Sequence, residues 1–196
     1  MTDNKEAMPA VSGPVYFFTA SILKLIVMTV FTLGIYELYW FYKNWILIKH
    51  RTGKRLSPLW RATFAPFWGY ALFKDIKKVA DENGIENNVW PVVHGLAFFV
   101  LMMIGLVPSY SYLCFLAVFA LIPANQTAVT VNQRLVRGFE QNDRFTFANW
   151  IVMTLGAMTI GLCIVSYMVL KPLMDSMGNM GAMGFDPSMA PPGYQF

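Results

Sequence analysis

The sequence predicts an all-α, polytopic membrane protein of about four transmembrane helices plus one amphipathic interfacial or re-entrant helix. Three observations lead there. Of the 196 residues, 56% are hydrophobic and only 13% charged, whereas an ordinary soluble domain carries roughly 25% charged residues. The mean hydropathy is +0.46. The charge is also unevenly placed: nine of the 15 basic residues fall between Lys43 and Lys78, with Asp75 the one acid among them. A net charge of +4 is too small to imply a nucleic-acid partner.

Residues 1–14 form a polar N-terminal segment containing Asp3, Lys5 and Glu6. No cationic start precedes an apolar core there, so no cleaved signal peptide is expected. Residues 15–171 are expected to form a single transmembrane domain. Its first span is placed at Leu23–Tyr42, since a hydrocarbon core of ~30 Å takes about 20 helical residues. Lys24 is expected to snorkel to one interface. Tyr36, Tyr39, Trp40, Phe41, Tyr42 and Trp45 make an aromatic belt at the other end. Glu37 sits just inside that belt, where it pairs with Lys43 or a neighbouring helix, or serves a polar path.

The basic stretch Lys43–Lys78 is expected on the cytoplasmic side. Ser57-Pro58 reads as a helix start, a capping hydroxyl followed by proline in the first turn. Gly84 reads as its stop. Trp60, Phe64, Phe67, Trp68, Ala71, Leu72, Ile76 and Val79 recur at helical spacing. The apolar part, Leu59–Phe73, gives only about 22 Å of helix, short for a span. Pro66 and Gly69 weaken its middle. It is therefore expected to lie at the interface with its basic residues toward anionic headgroups, a short kinked span being the alternative.

Trp90-Pro91 opens a second span, Val92–Val107, with His94 in its first turn. The uncharged turn Pro108–Ser111 is expected at an extracytoplasmic hairpin tip, and Tyr112–Ile122 returns through the bilayer. Pro123 is expected to kink that helix. The uncharged polar residues from Asn125 to Gln133 must then bond neighbouring helices or line a wet cavity. Asn125-Gln126-Thr127 matches a glycosylation sequon, but on the cytoplasmic side the match is accidental. Arg134, Arg137 and Arg144 mark a cytoplasmic segment. Trp150–Leu170 is an unbroken apolar run and the clearest span in the chain. Ala157 and Gly161 place small residues one turn apart on it. This reading puts the N-terminus outside, the basic middle inside and the C-terminus outside.

Residues 172–196 are expected to be a flexible Met/Gly/Pro-rich extracytoplasmic tail. Within it Met174, Met177, Met180 and Met183 recur at a spacing of three. Thioethers suit Cu(I), so these four are candidate metal ligands; the alternative is an adaptable surface for lipid or a partner. Cys114 and Cys163 lie in apolar runs without paired spacing and read as small hydrophobes. His50 and His94 lack an Asp, Cys or Glu at ligand or triad spacing. No phosphate loop, GxSxG or HExxH motif is present in the sequence. No enzymatic activity and no catalytic residue are expected.

The stretch Thr32-Leu33-Gly34-Ile35-Tyr36-Glu37-Leu38-Tyr39-Trp40-Phe41-Tyr42-Lys43-Asn44-Trp45 resembles the signature of an uncharacterised family of bacterial membrane proteins, a domain of unknown function. Its members begin with a span ending in T-x-G-x-Y-x-x-Y-W-x-Y. The resemblance continues through Trp60–Pro66, Pro123–Asn132 and Asn149-Trp150, covering about Val15 to Leu170 but not the Met-rich tail. It implies a bacterial inner (cytoplasmic) membrane location and supplies no catalytic residues. The expected role is a small structural or accessory subunit that binds other membrane proteins or itself in the lipid bilayer. Two alternatives stand beside it: a small transporter or channel with a polar path near Glu37 and Asn125–Gln133, and a Cu(I)-binding accessory protein.

Overall fold

The computed structural model describes residues 15–182, with side chains through Met177. Among the described residues all regular structure is helical. The helices are α1 (Ile22–Phe31), α2 (Ile35–Thr52), α3 (Pro58–Thr63), α4 (Ala65–Glu82), α5 (Pro91–Ile104), α6 (Ala117–Leu135) and α7 (Phe147–Ala182), with a 3-10 segment at Pro108–Leu116 before α6. The chain forms two units, residues 1–153 and residues 154–196.

The first expected span is not one helix. Thr32–Gly34 turns the chain between α1 and α2, and the local chemistry accounts for the break. Gly34 takes the left-handed conformation at φ 85°, and its N–H donates to the Thr29 carbonyl at 2.8 Å, closing α1. The Thr32 hydroxyl accepts from the Tyr36 N–H at 2.9 Å and so caps α2. At ten residues α1 is about 15 Å long, half of what a bilayer core requires. Leu23–Tyr42 is therefore corrected from a single span to a helical hairpin.

Both ends of that hairpin lie together. Residues 15–20, outside any helix and bent at Tyr16 and Phe17, run beside α2, and the Arg51 guanidinium near the foot of α2 donates to the Tyr16 carbonyl at 2.9 Å. Tyr16 and the basic end of α2 thus share one end of the unit, against the expectation of opposite sides. Lys24 does not snorkel. It is buried, and its ammonium donates to Asn142 Oδ1 and the Arg144 carbonyl, each at 2.7 Å. That pair ties the start of α1 to the segment joining α6 and α7.

Ser57 caps α3 as its sequence predicts, its hydroxyl accepting from the Trp60 N–H. The helix then breaks at Phe64, because Pro66 has no N–H to give the Ala62 carbonyl of α3 and is accommodated in the first turn of a new helix. The expected amphipathic helix is accordingly two, α3 and α4. α4 buries Leu72, Phe73, Ile76 and Ala80 and exposes Lys74 and Lys78. Gly84 follows its end at φ 63°. The core gathers Trp40, Phe41 and Trp45 of α2 with Phe73 of α4, Phe98 of α5, Leu121 of α6 and Phe17. Phe41 stacks on Phe98 at 5.2 Å between ring centroids.

Among the described residues two helices are long and apolar enough to cross a membrane: Pro108–Leu135 and Phe147–Met177, whose most apolar 18-residue windows have mean hydropathies of 1.7 and 2.0. Two such helices are fewer than the four expected spans; Ile22–Phe31 and Pro91–Ile104 are apolar but shorter. Val92–Val107 is represented by the 14-residue α5, too short by length alone. The expected return helix, Tyr112–Ile122, instead begins as the 3-10 segment and continues through Pro123 to Leu135. In the second unit, α7 runs through Pro172 to Ala182, past the expected start of a flexible tail at residue 172.

Candidate functional site

An extended chain inside an apolar bundle must have its N–H and C=O groups satisfied, since each orphan costs several kcal/mol away from water. Three asparagines from two helices do this at residues 16, 17, 18 and 20. Asn132 of α6 accepts from the N–H groups of Tyr16 and Phe17, at 2.9 and 3.1 Å, and donates to the Phe17 carbonyl at 2.7 Å. Asn44 of α2 accepts from the Phe18 N–H and donates to the Phe18 carbonyl, both at 3.1 Å. Asn125 of α6 accepts from the Ala20 N–H at 3.1 Å and donates to its carbonyl at 2.7 Å. Its Oδ1 also accepts from the Trp40 indole at 3.1 Å.

Each carboxamide presents the donor–acceptor pair that a neighbouring strand would present. The three amides are buried. Of the expected polar group from Asn125 to Gln133, the structure therefore brings Asn125 and Asn132 onto this clamp, while Gln126 and Gln133 are exposed. Asn44 was not singled out from the sequence. Its one signal is an amide on the buried face of a helix that is otherwise aromatic there.

Glu37, in the first turn of α2, is 1% exposed, and its Oε1 has no hydrogen-bond partner among the described residues. Thr29 of α1 lies beside it, and Cys114 of the 3-10 segment is within Coulombic range. The expected pairing with Lys43 does not occur among the described ion pairs, which join Lys77 to Asp81 and Lys78 to Glu82. An ionisable group at membrane depth is where a proton or cation pathway is first sought. Glu37 is thus a buried acid of the expected polar path whose Oε1 is unpartnered among the described residues.

Cations are otherwise held on rings. The Arg61 guanidinium lies between Trp45 and Trp68, 4.4 and 4.2 Å from the ring centroids. Arg51 lies 4.7 Å from the Phe17 ring. His94 accepts the Trp90 N–H at Nδ1, 3.1 Å away, and so supports the start of α5.

Of the candidate copper ligands, Met174 and Met177 are exposed on α7. Met180 falls on α7 beyond the described side chains, and Met183 lies outside the described residues. Three residues apart on a helix, Met174 and Met177 share a face. No cluster of three His, Cys, Asp or Glu residues suited to a metal occurs among the described residues. Comparison with protein-family models, curated proteins and solved structures returned no match to this chain.

Proposed function

We propose that this chain is a multi-pass protein of the bacterial inner (cytoplasmic) membrane, acting without catalysis as a small accessory subunit for another membrane protein or a second copy of itself. The observation that carries this reading is the character of α7. From Phe147 to Met177 it is 31 residues, and its most apolar 18-residue window has a mean hydropathy of 2.0 with none of that window buried. Such a surface needs acyl chains or another apolar helix against it. Open space around Gly161 allows close approach of a partner backbone. The positive-inside rule places the shared end of Tyr16 and Arg51 in the cytoplasm. The resemblance of Thr32–Trp45 to an inner-membrane family points to the same membrane.

The test uses Cys163, which is exposed on α7. In a Cys114→Ser background, a thiol-reactive photo-crosslinker is attached to Cys163 in native membranes. The expected result is a discrete product, either the homodimer or an adduct with one other membrane protein. A crosslinked sample that remains entirely monomeric overturns the reading. A second reading, a small transporter, is favoured by Glu37 and its unpartnered Oε1. It requires that Glu37→Gln change solute or proton flux in proteoliposomes. The copper reading requires that truncation after Pro172 abolish Cu(I) binding in a competition titration.

A further inference from the structure

α2 ends at Gly53, which takes φ 65° and turns the chain toward α3. An open cavity of about 530 Å³ lies in that bend, lined by Lys49, His50, Lys54, Arg55 and Ser57, with no acidic residue in its wall. Among the described residues none of Lys49, Lys54 and Arg55 makes an ion pair. Concentrated positive charge held without a counter-charge is unusual on a protein that spaces its charge so sparingly. It resembles half of an ion-pair site.

The surface next to it is apolar. Leu59 and Trp60 of α3, Phe64, and Phe67 of α4 are all exposed, and the Trp60 and Phe64 rings touch at 4.3 Å between centroids, tilted by 45°. Arg61, from the same turn, is turned inward between Trp45 and Trp68, so it leaves that apolar face free of charge. A cationic cavity edged by exposed aliphatic and aromatic side chains matches an amphiphile with an anionic head and apolar tails. A soluble phosphate would leave the apolar edge without a role. The geometry points to the α2–α3 bend as a binding pocket for the phosphodiester headgroup of an anionic phospholipid, its acyl chains lying along Leu59, Trp60 and Phe67.

This inference rests on the membrane reading above, and the experiment separates the two. Full-length protein in neutral detergent micelles is titrated with fluorescent phosphatidylglycerol, with fluorescent phosphatidylcholine in parallel. Each cation near an anionic lipid contributes about fivefold in affinity, so Lys54→Gln with Arg55→Gln is expected to weaken phosphatidylglycerol binding by about 30-fold. Lys77→Gln with Lys78→Gln, outside the pocket, is expected to change it less than about threefold, because those lysines already pair with Asp81 and Glu82. Helical content by circular dichroism reports folding, and Lys49→Gln with Lys54→Gln is the second variant should the first fail to fold.

Equal weakening by the two double substitutions would overturn the pocket in favour of diffuse attraction. Equal binding of phosphatidylcholine would overturn the headgroup assignment. Displacement of phosphatidylglycerol by inorganic phosphate at matching concentration would overturn a lipid ligand in favour of a free anion. Retention in carbonate-washed membranes is read separately, so loss of the pocket with retention refutes this inference alone.

Discussion

Asn132 closes its carboxamide around Phe17, accepting the Phe17 N–H at 3.1 Å and donating to the Phe17 carbonyl at 2.7 Å across 115 residues of sequence. A single side chain thereby supplies the pairing that an adjacent strand would give. With Asn44 on Phe18 and Asn125 on Ala20, the non-helical segment is paired at residues 16, 17, 18 and 20. The segment then needs no sheet, and a helical protein can bury it.

Replacing Asn132 with Leu keeps volume and removes both partners, leaving the Tyr16 and Phe17 amides and the Phe17 carbonyl buried and unpaired. At about 1–3 kcal/mol for each orphaned group, a loss of about 3 kcal/mol or more is expected. Gln133→Leu, one position along and exposed, is expected to change stability by less than about 0.5 kcal/mol. Thermal unfolding of the two variants in the same detergent checks the contrast. Equal melting temperatures would show that the clamp contributes nothing.

Gly95 on α5 meets α4 so closely that a Cβ there would lie 2.9 Å from the Tyr70 Cα. That neighbour is backbone, so it cannot swing aside. Gly95→Ala is expected to part α4 from α5 at a cost of about 1–3 kcal/mol. Gly161 has nothing within 4 Å of its built Cβ. In the monomer Gly161→Ala should be neutral or slightly stabilising through helix propensity. Denaturation midpoints of the two alanine variants, measured side by side, decide this.

Local signals were legible where the determining residues are neighbours. Ser57-Pro58 announced a helix start, and the hydroxyl does cap it. Gly84 announced a stop after Glu82. Hydropathy alone marked α7. The break at Thr32–Gly34 was hidden inside an apolar run, where glycine is common in membrane helices and carries little weight. Its caps, Thr32 on Tyr36 and Gly34 on Thr29, are recognisable once the turn is known. Of the asparagine clamp, the sequence showed that Asn125 and Asn132 need partners but not which partners they take. Its partners stand 26 to 116 residues apart, and periodicity reports only a residue's own helix. Lys24 failed for the same reason: its acceptors, Asn142 and Arg144, lie far along the chain.

Glu37→Gln should leave the fold intact, with stability changed by about 1 kcal/mol or less, since the carboxamide keeps the shape and adds donors beside Thr29. Glu37→Lys places a longer cation among Thr29, Tyr36 and Cys114 and should unfold the α1–α2 hairpin. Protease susceptibility at Thr32–Gly34 reports that opening. A Glu37→Lys variant as protected as the wild type would mean that the Glu37 site is open to water.

Asp81, near the end of α4, accepts from Asn87 Nδ2 at 2.9 Å and from Lys77 Nζ at 3.1 Å. Both bonds favour the charged carboxylate, the Asn87 one foremost, and hold its pKa below the ordinary 3.8. Asn87 in turn donates to the Ile85 carbonyl and accepts from the Val89 N–H, so the carboxylate orders the connection from α4 to α5. A lowered carboxyl pKa gives order that is fully present above the ordinary value and is lost as pH falls through the lowered one. Amide exchange at Ile85 and Val89, followed from about pH 6 to about pH 2.5, should therefore accelerate beyond its intrinsic pH dependence only in the acidic part of that range. Asp81→Asn removes the charge that titrates. In that variant exchange at both amides should follow the intrinsic dependence throughout, and an acid step that persists in Asp81→Asn would assign it to another group.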